Sequence, residues 1–138
     1  MKVMIVCSKA FYGKIEPVKK ELESYGHTII LPNSYDQPQQ EYEIMQKSAE
    51  EHAKWKGEMF KASEQKIKES DAVLVLNYEK NNIKNYLGGS TLLEMYDAFK
   101  HNKKIFMINP IPEIMLQDEI KGFQPIILNG DLGKIKNE

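Results

Sequence analysis

The chain has no arginine: all 19 of its basic residues are lysine. No side chain can grip a phosphate or carboxylate through the two-pronged guanidinium geometry. An anion must be met by ammonium groups, hydroxyls or backbone N–H groups. The same absence removes cysteine-phosphatase chemistry, which pairs its nucleophile with an arginine. Cysteine is scarce as well. Cys7 stands alone, so an intrachain disulfide and a multi-cysteine zinc site are both excluded. His27, His52 and His101 are scattered without ligand-like spacing, so no metal is expected, and no cofactor. No apolar run approaches the roughly 20 residues that span a bilayer. The opening Met1–Cys7 stretch is too short for a signal peptide, so the expected location is cytoplasmic. A net charge of −1 with the signs well mixed argues against a surface for a nucleic-acid polymer. Neither G-x-G-x-x-G nor G-x-x-x-x-G-K-[ST] occurs, which sets aside the common dinucleotide and P-loop sites.

What is present suits one domain over 1–138, with 41% hydrophobic and 28% charged residues. Lys2–Cys7 reads as a short buried strand. Ile15, Val18, Leu22 and Tyr25 give Lys14–Tyr25 a helical spacing, and Gly26 stands where a helix ends. His27–Leu31 is a second strand, closed by Pro32. Residues 41–69 contain no proline and read as helical throughout, with Met45, Ala49, Ala53, Met59 or Phe60, and Ile67 as a loose apolar stripe. Asp71 precedes a third strand, 72–77. A loop rich in Asn and Lys leads to Gly88-Gly89 and a helix reaching about His101. Lys103–Asn109 is a fourth strand. A short helix is expected over 113–120 and a fifth strand over Gln124–Leu128. The last eight residues read as a tail. Strands alternating with helices imply parallel βαβ units. The expected architecture is a flavodoxin/Rossmann-like three-layer α/β sandwich with a five-stranded parallel sheet in the order 2-1-3-4-5.

In that order a ligand crevice opens at the carboxyl ends of strands 1 and 3. Cys7, Ser8 and Lys9 fall there from the first loop; Asn77, Tyr78 and the Gly88–Thr91 turn, with Gly89 and Ser90, fall there from the third, and Phe11, Tyr12, Tyr78 and Tyr86 are rings that could either stack on a base or pack. Asn77 occupies the place where a receiver domain needs an acid. Gly88 and Gly89 leave room for a ligand, and the helix after them offers unpaired N–H groups. Glu94, on the opening of that helix, has two readings. It can fold back on Thr91 as a capping box, or face the crevice as nucleophile or base. Leu92, Leu93, Tyr96 and Phe99 suggest the helix's buried face. Asp97, three residues on, shares a face with Glu94, and such a pair can divide acid and base work.

The stretch Tyr86-Leu-Gly-Gly-Ser-Thr-Leu-Leu-Glu94, with Asn77, Ala98 and Lys104-Ile-Phe-Met-Ile108, resembles the nucleoside 2-deoxyribosyltransferase superfamily, which includes deoxynucleoside-monophosphate N-glycosidases. The resemblance implies a flavodoxin-like fold and a glutamate nucleophile, matched by Glu94, which attacks the anomeric carbon of a deoxyribose. It implies a small-molecule nucleoside or nucleotide as partner, and a homodimer or larger homo-oligomer in which a neighbour completes the pocket. Relatives carry an acidic residue shortly before the turn; here Asn77, Asn85 and Gly88 occupy the nearby positions. A non-catalytic nucleotide-binding module of the same fold is the alternative.

Overall fold

A computed structural model describes residues 1–137. Its strands are β1 (Lys2–Val6), β2 (Thr28–Ile30), β3 (Ala72–Val75), β4 (Lys104–Met107) and β5 (Ile126–Ile127). They form one sheet in the order β2-β1-β3-β4-β5, and every neighbouring pair is parallel. The helices are α1 (Ile15–Ser24), α2 (Gln40–Met45), α3 (Ala49–Lys68), α4 (Gly89–Lys100) and α5 (Gln117–Gly122). The sheet order and layering are those expected from the sequence.

After the lysines that open β1 and β4, the central strands are apolar at every position because helices cover both faces. Alternate residues serve alternate cores. Val3, Ile5, Leu74 and Phe106 pack with Ile15, Val18 and Leu22 of α1. Met4, Val6, Val73, Val75, Ile105 and Met107 pack on the other face with Ile67, Met95, Ala98 and Ile120. Each large side chain so buried contributes about 1.5–3 kcal/mol. Asp71 is structural: the Lys2 N–H donates to its Oδ2 at 2.7 Å, and its own N–H donates to the Lys2 carbonyl at 2.7 Å.

Three expectations need correction. Residues 41–69 are two helices, not one. The chain leaves helical geometry at Ser48 (φ −165°, ψ 158°), whose hydroxyl caps α3 by accepting the Glu51 N–H at 3.0 Å. A short polar side chain that competes for backbone groups breaks the helix there, where no proline marks it. Gly57 lies inside α3 without bending it into two. In α4 the buried face is Thr91, Met95 and Ala98, whereas Leu93, Tyr96 and Phe99 are exposed by nearly half. Met95 fills the core between the small Thr91 and Ala98, and Leu93, Tyr96 and Phe99 face outward. The tail is packed: Leu132 and Ile135 are buried, and the Ile135 carbonyl lies 3.0 Å from His27 Nε2. Glu138 lies outside the described residues.

Candidate active site

The site is built where β1 and β3 end. After β1, a short 3-10 helix (Lys9–Lys14) begins at Ser8, whose hydroxyl accepts the Ala10 N–H at 3.4 Å. It sets Lys9 and Tyr12 on one side of a crevice. After β3, Asn77 is fully buried and its amide is spent on structure. Nδ2 donates to the carbonyls of Asn109 and Pro110, both at 3.0 Å, and Oδ1 accepts the Asn109 N–H at 3.0 Å. Asn77 therefore clamps the ends of β3 and β4 together. The loop then makes a two-residue hairpin. Asn81 and Asn82 take positive φ (52° and 63°), the type I′ pattern, between Lys80 and Ile83, which exchange two backbone bonds. This turn carries Lys80 back over the first loop, 3.4 Å from the Ser8 hydroxyl.

Helix α4 starts at Gly89 with Gly88 as its N-cap, and no side chain caps it. A Cβ on Gly89 would meet nothing within 4 Å. The helix end is thus open toward the crevice, with unpaired N–H groups there. Gly88 is extended (φ −98°, ψ −179°), a conformation open to any residue, so its lack of a side chain matters more than its backbone freedom. Glu94 stands in the second turn of α4, not the first, and the capping-box reading fails because Thr91 is inside the helix. Glu94 points instead to α3. Ser63 hydrogen-bonds its carboxylate, and the Ser63 hydroxyl oxygen accepts the Asn33 amide at 2.9 Å. Asn33 thereby leaves the Ser63 proton free for Glu94. Burial pushes the Glu94 carboxyl up to about 7, with the charge of Asp97 acting the same way; Ser63, Lys66 and Lys56 pull against them.

These elements enclose a cavity of about 330 Å³. Of the residues expected from the sequence, it brings together Ser8, Lys9, Gly88, Gly89, Ser90 and Glu94. Phe11 and Tyr86 are not on its wall. Phe11 is buried edge-to-face against Tyr78 and Tyr86, at centroid distances of 5.5 and 6.4 Å, and these rings support the loops from behind. Asn77 is off the wall as well, for the reason given. Asp97 pairs with Lys100 at 3.4 Å and lines an adjoining apolar depression that also reaches Glu94. Cys7 lines the cavity, but burial pushes its thiol up to about 12, with the Glu94 charge adding to the effect. It is a packed thiol, not a nucleophile.

The far wall was not legible in the sequence. It comes from α2 and α3: Glu41, Trp55, Lys56, Met59, Phe60 and Ser63. Glu41 is its hub. Its carboxylate meets Lys9 Nζ at 2.7 Å, His52 Nε2 at 2.9 Å and Lys56 Nζ at 3.0 Å. Burial alone would raise its carboxyl, but hydrogen bonds from Lys9, His52 and Lys56 outweigh that and hold it at about 2. The cavity therefore contains two carboxylates of opposite character: Glu41 ionised throughout the neutral range, and Glu94 poised near neutrality. A cleft carboxyl shifted this far by burial is a recognised mark of a functional site. The one signal in the sequence was the spacing of 56, 59, 60 and 63, a single helical face.

Among the described residues no group of His, Cys, Asp and Glu is arranged to hold a metal ion, and no helix is long and apolar enough to cross a membrane. No protein-family model matches the chain, and no curated protein does. A solved structure does: the 2-deoxyribosyltransferase of the psychrotolerant bacterium Bacillus psychrosaccharolyticus. It superposes with a TM-score of 0.54 and 21% sequence identity over 83% of this chain and 77% of that one. This chain has the fold of that enzyme.

Proposed function

We propose that the protein is a nucleoside 2-deoxyribosyltransferase-like enzyme that cleaves or exchanges the N-glycosidic bond of a deoxynucleoside or deoxynucleotide, with Glu94 as nucleophile. The observation that carries this is the position of Glu94. It is partly buried in the cavity beside the open end of α4, oriented by Ser63 and Asn33, and poised to ionise near neutral pH. The ionised carboxylate attacks the anomeric carbon of the sugar. The carbon–nitrogen bond breaks, and its electron pair goes to the base, which takes a proton from water. A sugar–Glu94 ester remains. Water or a second base then attacks the same carbon and frees the carboxylate. Ser8, Gly88, Gly89 and Ser90 supply hydroxyl and N–H groups for the sugar. Asp97, outside the cavity, acts on Glu94 by raising its pKa, a positioning role.

The assembly this reading expects is a homodimer or larger oligomer. Leu93, Tyr96 and Phe99 on α4 form an exposed apolar face together with Phe60. Phe60, Leu93 and Tyr96 line the depression that shares Glu94 and Ser63 with the cavity. A second copy seated there would lie beside the nucleophile.

The test is chromatography of a mixed pool of deoxynucleosides and their monophosphates after incubation with the protein, with and without a spare free base. Base release or exchange that vanishes in Glu94→Gln is the expected result. Asn77, Asn85 and Gly88 stand where relatives carry an acid, which favours the second reading, a binding module. Saturable binding with no base release would select it.

A further inference from the structure

The proposed reaction sends a base away with the electron pair of the broken carbon–nitrogen bond. An ordinary purine or pyrimidine leaves well only when a proton joins that pair, and a placed general acid supplies such a proton. Most titratable side chains on the cavity wall have none to give. Glu41 is held ionised at about 2 by its three partners. Lys9 and Lys56 are both bound to it, at 2.7 and 3.0 Å. Burial pushes the Cys7 thiol up to about 12 and raises the Tyr12 phenol as well. Glu94 is committed as nucleophile. Lys80 is left. It lines the cavity, and among the described residues its ammonium meets a hydroxyl and a ring rather than a carboxylate.

The fold aims that ammonium. The Lys80 backbone exchanges two hydrogen bonds with Ile83, at 3.1 and 2.9 Å, across the tight turn at Asn81 and Asn82. Its Nζ reaches the Ser8 hydroxyl at 3.4 Å and lies over the Tyr86 ring, 4.8 Å from the centroid. Tyr86 is itself fixed: its N–H donates to the Tyr78 carbonyl at 2.8 Å, and Phe11 packs edge-on against its ring. The Tyr86 hydroxyl stands 3.4 Å from the place a Cβ on Gly88 would take. Lys80 Nζ thus sits between the first loop and the Gly88 turn, and Ser8 and Gly88 both line the cavity. Glu94 is held from α3, by Ser63. Nucleophile and ammonium are carried by different walls of one cavity, as an acid and a nucleophile flanking a scissile bond require.

Building on the proposed function, we infer that Lys80 is the proton donor to the departing base. A Glu94 oxygen bonds to the anomeric carbon and the carbon–nitrogen bond breaks. A proton passes from Lys80 Nζ to the base, which leaves neutral, and Lys80 becomes an amine. Water then attacks the same carbon, the sugar–Glu94 bond breaks, and its electron pair returns to the carboxylate. The proton that water sheds goes to Lys80 Nζ. In exchange, the incoming base supplies that proton instead. Water or the second base is the source of the proton over the whole cycle, and Lys80 carries it.

Leaving-group dependence tests this. Base release is measured on ordinary deoxynucleosides and on activated ones whose base needs no proton. The activated set is a purine methylated on its imidazole ring, which departs neutral, and a nitro-substituted pyrimidine, which departs readily as an anion. Lys80→Met should lose about a hundredfold or more in kcat/KM on the ordinary set and stay within about tenfold of wild type on the activated set. Lys80→Arg keeps the charge and the reach to the Tyr86 ring but does not release its proton, so it should behave as Lys80→Met does. Equal loss on both sets, no loss on either, or recovery in Lys80→Arg overturns the inference. Wild-type release with any of these three patterns leaves the Glu94 reading standing and removes only the role of Lys80. A wild-type protein that releases no base from either set overturns both.

Discussion

Replacing Glu94 by glutamine should stabilise the protein at alkaline pH and leave it unchanged in acid. The carboxyl is raised from its usual 4.5 to about 7, so the folded state binds its proton more tightly than the unfolded state does. Stability from this group is fully present below pH 4.5. It falls as the pH rises toward 7 and levels off above that, where the folded protein must carry a buried charge. At about 1.4 kcal/mol per pH unit, the gap between 4.5 and about 7 makes the ionised carboxylate a burden of about 3 kcal/mol at most. Glutamine keeps the size of the side chain and an oxygen to accept from Ser63, and it carries no charge. At pH 8, Glu94→Gln should therefore be more stable than wild type by 2–3 kcal/mol, about 10 °C in Tm for a chain of this length. At pH 4 the two should unfold together. Denaturant melts followed by circular dichroism at both pH values read the difference. A variant as stable as wild type, or less stable, at pH 8 would refute the reasoning, as would a difference that does not vary with pH. The expected pattern is one of function held at the expense of stability.

Ser63→Ala removes a group that holds the Glu94 pKa down, so the acidic limb of the pH–rate profile should move to higher pH, as kcat/KM against pH would show. Glu41, held at about 2, behaves oppositely to Glu94. Its stabilisation is present above pH 4.5 and lost as the pH falls toward 2, so Glu41→Gln should flatten the acid limb of an unfolding-versus-pH curve. Asn77→Ala leaves two part-buried carbonyls and an N–H without their partner and should cost about 1–3 kcal/mol in urea denaturation. Tyr96→Glu, on the exposed apolar face of α4, should leave monomer stability within about 0.5 kcal/mol and lower the mass of any oligomer seen by light scattering.

The sheet was legible because its signal is strong and local: five short β-branched runs separated by helical patterns or prolines admit few arrangements. Topology alone puts Ser8, Lys9 and the Gly88–Thr91 turn at one end of the sheet, and the cavity gathers all of them. Asn77 was located correctly, but its surroundings were not, since its partners at Asn109 and Pro110 lie across the sheet. The facing of α4 was misjudged because Leu93, Tyr96 and Phe99 outweigh Thr91 and Ala98 in hydrophobicity. The face that packs on the sheet and α3 is the one carrying Met95, with Thr91 and Ala98 beside it. The α2–α3 wall was hidden for a different reason. Glu41 and Lys56 are ordinary surface residues by type, and only the break at Ser48 folds α2 back so that one carboxylate meets Lys9.

The central claim is that Glu94 forms a covalent bond to the sugar. Mass spectrometry of peptides from protein quenched in acid during incubation with a deoxynucleoside monophosphate tests it directly. The account predicts a peptide containing Glu94 that is heavier by one deoxyribosyl phosphate and is absent from Glu94→Gln. Base release with no adduct on that peptide, or release that persists in Glu94→Gln, would contradict it.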